Sequence, residues 1–132
     1  MEYDLKNSIL AALIVAISVM ASIPTWAHHG IYVTFDTEQQ VTLTGTVTEW
    51  KFANPHVQFS IDVTDDAGNV VNWAVEGSSV YYWSRAGWNR GSLRPGNEVA
   101  VTMFPARDGR PLGVVSKIVL PNGRELVMET GN

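Results

Sequence analysis

The chain has 132 residues, no cysteine and a formal net charge of −4 at pH 7, from 9 Lys and Arg against 13 Asp and Glu. The lack of cysteine excludes disulfides, thiolate metal sites, iron–sulfur clusters and cysteine catalysis. Nucleic-acid binding usually needs a basic footprint, and because this composition has none, we expect no nucleic-acid partner.

The N-terminal segment has the pattern of a Sec-type signal peptide. A single Lys6 precedes an apolar run from Ile9 to Met20, and the small residues Thr25 and Ala27 stand at the spacing that a signal peptidase recognises. The apolar run is shorter than the roughly 20 residues that a membrane-spanning helix needs. We therefore expect a secretory signal that is removed rather than a retained membrane anchor.

Cleavage after Ala27 defines the predicted organisation of the chain. Residues 1–27 form the signal peptide and residues 28–132 a single small domain, large enough for a modest core. A second cut, after Ala21, is an alternative. Either cut predicts a periplasmic or secreted protein without stable membrane insertion after cleavage.

Alternating apolar and polar residues predict a β-rich mature domain with one short helix. The strands are expected at 41–49, 56–63, 70–76, 98–104, 112–120 and 125–128, and the helix runs from a cap at Ser78 or Ser79 to about Ala86. Gly45 interrupts the first strand, where it marks a bulge or a sharp bend.

Three strands, a helix and two further strands follow the order of an OB-fold. We therefore predict an all-β fold with one short helix: an OB-like Greek-key barrel of five or six strands (β-β-β-α-β-β), preceded by the signal-peptide helix. A plain antiparallel sandwich is the alternative, but it leaves the helix without a natural role.

Four sequence motifs together resemble a known family. They are Ala-His-His at 27–29, Asn-Pro-His at 54–56, Gly-Trp-Asn-Arg-Gly-Ser-Leu-Arg-Pro-Gly at 87–96 and Pro-Ala-Arg-Asp-Gly at 105–109. This set is similar to that of a family of short exported bacterial proteins catalogued only as a domain of unknown function. The resemblance implies a periplasmic or secreted single domain, an OB-like barrel and no established activity. The chain departs from the family at Gly30, where members commonly carry Ser, and at 80–83, where their helix is usually Leu-rich.

All three histidines of the chain are candidates for one metal site. Cleavage after Ala27 would place the free amine and both imidazoles of His28 and His29 within a few ångströms, and His56 follows a rigid Pro55 turn. Nitrogen donors of this kind suit copper, nickel or zinc. The alternative is a solvated tail with incidental histidines.

Glu76 ends the third predicted strand and has two interpretations. It is a candidate acceptor that supports a metal-bound histidine, or a fourth ligand. It is also a candidate ion-pair partner of Arg85, Arg90 or Arg94, and this structural role is favoured. Strand alternation places Glu76 on the face opposite Trp73, so its side chain should point away from the barrel interior.

The mature chain is rich in aromatic residues, which serve either a core or a binding face. The set is Trp50, Phe52, Trp73, Tyr81, Tyr82, Trp83 and Trp88. Core packing with one or two exposed rings is the favoured interpretation, because a small domain without cysteine needs large core side chains. Trp50, Phe52 and Tyr82 are the candidates for an exposed ligand or partner face.

These features predict a small exported binding module rather than an enzyme. No Ser-His-Asp motif is present, and a paired-carboxylate site would need a larger cleft than this domain offers. The leading hypothesis is binding of copper, or another divalent metal, through the mature N-terminal histidine. The alternative is an interaction or structural module that binds an unidentified periplasmic partner protein, or a saccharide, through exposed aromatic rings.

Overall fold

The computed structural model describes residues 2–21 and 30–128. The chain divides into two compact units, Met1–Gly30 and Ile31–Asn132. The first contains helix α1 (Glu2–Ala21). Among the helices within the described ranges, none is long and apolar enough to span a membrane. The expected cleavage site after Ala27 lies outside these ranges and remains a prediction.

From Gly30 to Met128, the second range that the structure describes, the chain forms two short helices and six strands. They are α2 (Gly30–Thr34), β1 (Val41–Lys51), β2 (Gln58–Thr64), β3 (Val70–Glu76), α3 (Val80–Arg85), β4 (Glu98–Pro105), β5 (Leu112–Val119) and β6 (Glu125–Val127). The six strands and α3 lie where the alternation and turn chemistry predict them, within about two residues at each end. Only α2 is an addition to the predicted set.

Five of the strands close into a barrel. β1 pairs antiparallel with both β2 and β4, β2 pairs with β3, and β4 pairs with β5. A parallel pairing of Ala74–Glu76 with Leu112–Val114 joins β3 to β5 and completes the closure. β6 continues the pairing along the second half of β5. This closure, with α3 between β3 and β4, confirms the predicted OB-like barrel and excludes the sandwich alternative.

The barrel core is built from the inward-facing residues of the strands and from aromatic rings. Trp83, the one buried residue of α3, is fully buried. Its ring centroid lies 5.5 Å from that of Trp50, 6.5 Å from Phe59 and 5.7 Å from Trp88, all in edge-to-face arrangements. Aromatic pairs favour this geometry at such distances. Trp83 therefore anchors α3 to the barrel core.

Gly45 is explained by a close approach of strands, and the bulge that was one of the two features expected there lies farther along β1. The register shift in the β1–β2 pairing lies between Val47 and Glu49. A Cβ atom added at Gly45 would lie 2.6 Å from the carbonyl oxygen of Asp62. Glycine is thus required because β1 passes too near the β2 backbone for any side chain.

The β2–β3 turn carries a carboxylate that is tightly hydrogen-bonded. Asp65 accepts hydrogen bonds from the side-chain amide of Asn69 (3.0 Å), from the Asn69 backbone N–H (2.8 Å) and from that of Ala67 (2.9 Å). These donors favour the charged form, and the Asn69 side chain is the largest cause of the lowered pKa of Asp65.

Asn69→Ala is expected to move the pKa of Asp65 back up toward its ordinary value. A carboxyl-carbon NMR titration measures this directly, with Asn122→Ala, in another turn, as the control. Because the folded-state pKa is lowered, the stabilisation from Asp65 is present at neutral pH and is lost as the pH falls through that pKa. An Asp65 titration that is the same in both variants would contradict the assignment.

Candidate functional site

The segment between β1 and β2, which contains the Asn-Pro-His motif, is fastened to the link between β3 and α3. The Val57 backbone N–H donates to the Ser78 carbonyl at 3.0 Å, and the Gly77 N–H donates to the Val57 carbonyl at 2.8 Å. The Asn54–Pro55 peptide bond is cis. The two hydrogen bonds of Val57 hold the residue that follows the motif against the link between β3 and α3.

Helix α3 is capped from this motif and not by the predicted serines. Ser79 occupies the N-cap position, but its side chain makes no capping hydrogen bond. Instead the Val80 backbone N–H donates to the side-chain oxygen of Asn54 at 3.1 Å. An Asn oxygen satisfies an otherwise unpaired helix N–H in the usual way, although here it comes from a distant loop. The expected cap at Ser78 or Ser79 is corrected accordingly.

His56 and Glu76 form a side-chain pair on the outside of the barrel. The Nδ1 atom of His56 contacts Oε1 of Glu76. Gln58, two residues after His56, is the register partner of Glu76 in the β2–β3 pairing. His56 and Glu76 therefore meet where β2 begins and β3 ends. The pair leaves Nε2 as the second nitrogen of His56, on a side chain that is 52% exposed.

Glu76 lies on the face of the sheet that strand alternation predicts, while a role in supporting a metal ligand remains a prediction. It lies on the outward face of β3, as the alternation indicates, and its carboxylate contacts the imidazole of His56. Within the described part of the chain none of the three arginines considered makes an ion pair with Glu76. Arg85 lies over the Tyr81 ring at 5.8 Å, and the Arg90 carbonyl accepts a hydrogen bond from Trp50 Nε1 at 3.1 Å.

The other two predicted metal ligands lie outside the described residues. His28 and His29 fall in the range 22–29. Across residues 2–21 and 30–128, no group of three or more His, Cys, Asp or Glu side chains is close enough to hold a metal ion. His56 and Glu76 are accordingly the part of the predicted site that lies within the described residues, and the complete ligand set remains a prediction.

The predicted aromatic face is corrected by the structure. Phe52 is 8% exposed and belongs to the core, and Trp50 is half-buried with its ring 5.7 Å from that of Phe52. Tyr82 is 61% exposed on α3, beside the equally exposed Tyr81. Trp50 and Phe52 point inward, where they pack with Trp83 in the core cluster. The favoured interpretation, core packing with one or two exposed rings, describes the molecule.

A depression on the outer face of β1, β2 and β3, lined by both polar and apolar side chains, was not found from the sequence. It has a volume of about 270 Å³. Its floor consists of Ser60 and Ala74, which are register partners, and the longer side chains of Glu49, Lys51 and Gln58 surround it. The signal in the sequence was two small outward-facing residues on neighbouring strands. That signal has no meaning until the strand register is known.

Solved structures of similar fold include a mitochondrial single-stranded DNA binding protein of S. cerevisiae, Rim1. One crystal form is 16% identical, with a TM-score of 0.48 over 63% of this chain and 94% of that chain. Another is 10% identical, with a TM-score of 0.43 over 71% of this chain and 97% of that chain. No curated protein matches the sequence.

Relationship at the level of sequence is shown by a family profile. The profile, described as a family of unknown function (DUF6152), matches residues 15–116, which include the Asn-Pro-His motif, His56, Glu76 and all residues of the outer-face depression. The match covers most of the chain, and it agrees with the resemblance carried by the sequence motifs. This protein, with its OB-like barrel, therefore belongs to the family of unknown function DUF6152.

Proposed function

We propose that this protein is an exported, non-enzymatic binding module for a divalent transition-metal ion, in the first place copper. The ligands would be His56 and the histidines that begin the mature chain, His28 and His29. The observation that carries the proposal is the His56–Glu76 pair on the barrel surface.

The pair has the chemistry of a supported metal ligand. A carboxylate on one imidazole nitrogen fixes the tautomer and ring orientation, and it raises the basicity of the other nitrogen. Glu76 engages Nδ1, which leaves Nε2 as the donor for a metal. The fastening of Val57 to Gly77 and Ser78 restrains the backbone beside His56. Such restraint lowers the ordering cost of ligation.

The mature N-terminus would supply the remaining nitrogens. After cleavage at Ala27, the His28 amine and its own imidazole form a chelate ring, and His29 offers a second imidazole. Borderline divalent metals, copper above all, prefer such nitrogen sets over the oxygen sets that suit calcium or magnesium. The ion is cargo in this proposal, and the expected location is the periplasm or the exterior.

Copper titration of the mature protein tests the proposal. The start of the mature chain is first established by intact mass and N-terminal sequencing. We then expect His56→Ala to weaken copper binding at least about tenfold, or about 1.4 kcal/mol. Glu76→Gln should weaken it by about tenfold through loss of the supporting carboxylate. Electron paramagnetic resonance should show one fewer coordinated nitrogen in His56→Ala.

Controls separate a folded site from adventitious binding by a His-His tail. Tyr82→Ala alters an exposed residue on a neighbouring element and should leave the affinity unchanged. A chain with one glycine added before His28 should bind more weakly, since it displaces the amine. Equal affinity and equal spectra for wild type and His56→Ala would mean tail binding alone and would end the metal proposal.

A further inference from the structure

The outer-face depression between β1, β2 and β3 has features of a ligand site separate from the histidines. Its two floor residues, Ser60 and Ala74, are small, and the side chains around them are mostly long and polar, with the apolar Leu112 beside Ala74. A volume of about 270 Å³ lies just below the usual range for ligand pockets, about 300–1,000 Å³. Any occupant must therefore be small.

Among the described residues, two charged side chains of the depression differ from the polar side chains next to it in having no hydrogen-bond or ion-pair partner. Just beyond the floor, the Asn72 amide donates to Asp62 (2.7 Å) and to Thr48 (3.1 Å), so the polar side chains of these three neighbouring strand positions are hydrogen-bonded to one another. Within the described residues, neither Glu49 nor Lys51 makes a side-chain hydrogen bond or an ion pair.

The charges available to a ligand are one of each sign. Glu76 also borders the depression, but its carboxylate is engaged by His56. That leaves the carboxylate of Glu49 and the ammonium of Lys51, on the same face of β1 and two residues apart. Strand geometry sets their Cα atoms about 7 Å apart. A ligand that satisfied both would carry an ammonium and a carboxylate at a similar separation.

We propose that the depression binds a short zwitterionic peptide of dipeptide size, with its ammonium against Glu49 and its carboxylate against Lys51. In an extended dipeptide, standard bond lengths place the terminal nitrogen and the terminal carboxyl carbon about 6 Å apart. The Gln58 amide and the Ser60 hydroxyl lie beside the peptide group, where they provide donors and acceptors. The small side chain of Ala74 leaves room for the backbone.

The complementarity is electrostatic, and this separates a peptide from the other small ligands that fit the volume. A neutral saccharide would leave both charges without partners, and it would find no stacking ring, since Trp50 and Phe52 are directed into the core. A simple anion or cation would satisfy only one of the two side chains. The site includes none of the three histidines, although it shares Glu76 with the proposed metal site, and the two charges that would bind the peptide belong to none of the metal ligands.

An NMR titration of the full mature chain with alanyl-alanine, in the presence of a metal chelator, tests this site. We expect amide shifts confined to Glu49, Lys51, Gln58, Ser60 and Ala74. Capping either end of the peptide, as N-acetyl-alanyl-alanine or alanyl-alanine amide, should weaken binding about threefold, as expected for one exposed ion pair. Lys51→Met should weaken binding of the free dipeptide to the same extent and abolish the difference between it and its amide.

The matched control is Lys117→Met, which removes an exposed ammonium that pairs with Glu125 at 3.1 Å on the β5–β6 pair. It should leave the titration unchanged. Three results would each overturn the proposal. The first is the absence of shifts at the five residues of the depression with about 10 mM dipeptide, a concentration above the dissociation constant of roughly 1 mM expected of a weak site. The others are equal binding of the free and capped peptides, and equal effects of the two lysine variants.

Discussion

Trp83→Ala is expected to lower the free energy of unfolding by about 3–5 kcal/mol, the usual cost of removing a large buried aromatic side chain. Trp83 is fully buried, and the rings of Trp50, Phe59 and Trp88 surround it. Its loss leaves a cavity that three rigid rings cannot readily fill. It also removes the only buried residue of α3, so the helix loses its attachment to the core.

Urea unfolding followed by circular dichroism measures this effect. Tyr82→Ala is the matched control, because Tyr82 is the preceding residue of the same helix and is 61% exposed. A surface change of this kind usually costs no more than about 0.5 kcal/mol. If the two variants lost similar stability, the aromatic cluster would not be the principal support of α3.

Gly77→Ala is expected to destabilise the protein by about 1–3 kcal/mol, because the added methyl group would overpack the aromatic cluster at the Trp83 ring. A Cβ atom at Gly77 would lie 2.5 Å from Cζ2 and 2.8 Å from Nε1 of the Trp83 ring. The ring is rigid and fully buried, so it has little room to move. The Gly77 backbone is itself held by its hydrogen bond to the Val57 carbonyl.

Gly113→Ala provides a comparison within the same barrel. An added Cβ there would also be too close to a buried side chain, but the nearest atoms are Sδ and Cγ of Met103, and the Phe104 carbonyl oxygen is farther away at 3.1 Å. A thioether chain with three rotatable bonds adjusts more readily than an indole ring. We therefore expect a smaller loss of stability in Gly113→Ala than in Gly77→Ala, measured by the same urea unfolding.

A double substitution identifies the cause of the Gly77 effect. In Gly77→Ala with Trp83→Phe, the smaller phenyl ring has no atom in the place of Cζ2, the indole atom that would lie nearest to the new methyl group. The double variant should therefore be more stable than the sum of the two single effects predicts, since contacting residues couple. Simple additivity would show that the cost of Gly77→Ala arises elsewhere, for example in the backbone.

Local features of the fold were predicted well because they depend on local chemistry. The third strand was expected at 70–76 and is found at Val70–Glu76, since strict alternation ends where Gly77 begins. The second strand was expected from His56 but starts at Gln58. The two residues between belong to the loop, because Val57 uses its backbone groups to hold Gly77 and Ser78. That use of hydrogen bonds is not visible in an apolar–polar pattern.

The candidate site shows the same division. Alternation correctly placed Glu76 on the outer face of the barrel. The pattern contains no information on whether a histidine or one of three arginines would contact its carboxylate. The sequence predicted that most aromatic rings pack in the core and that one or two are exposed, but it did not identify which. The structure shows that Trp50 and Phe52 pack with the cluster that contains Trp83, and that Tyr82 is exposed. The distant cap that Asn54 gives to α3 has no sequence signature, because capping rules describe residues adjacent to the helix.

The sequence by itself determined the strands, the single helix between the third and fourth strands and the choice of an OB-like barrel, because periodicity and turn residues act over a few positions. The tertiary structure alone decided the closure of β3 against β5, the pairing of His56 with Glu76 and the depression above Ser60 and Ala74. Each of these depends on strand register, which brings together residues that are distant in the sequence and is set by the packing of the whole core.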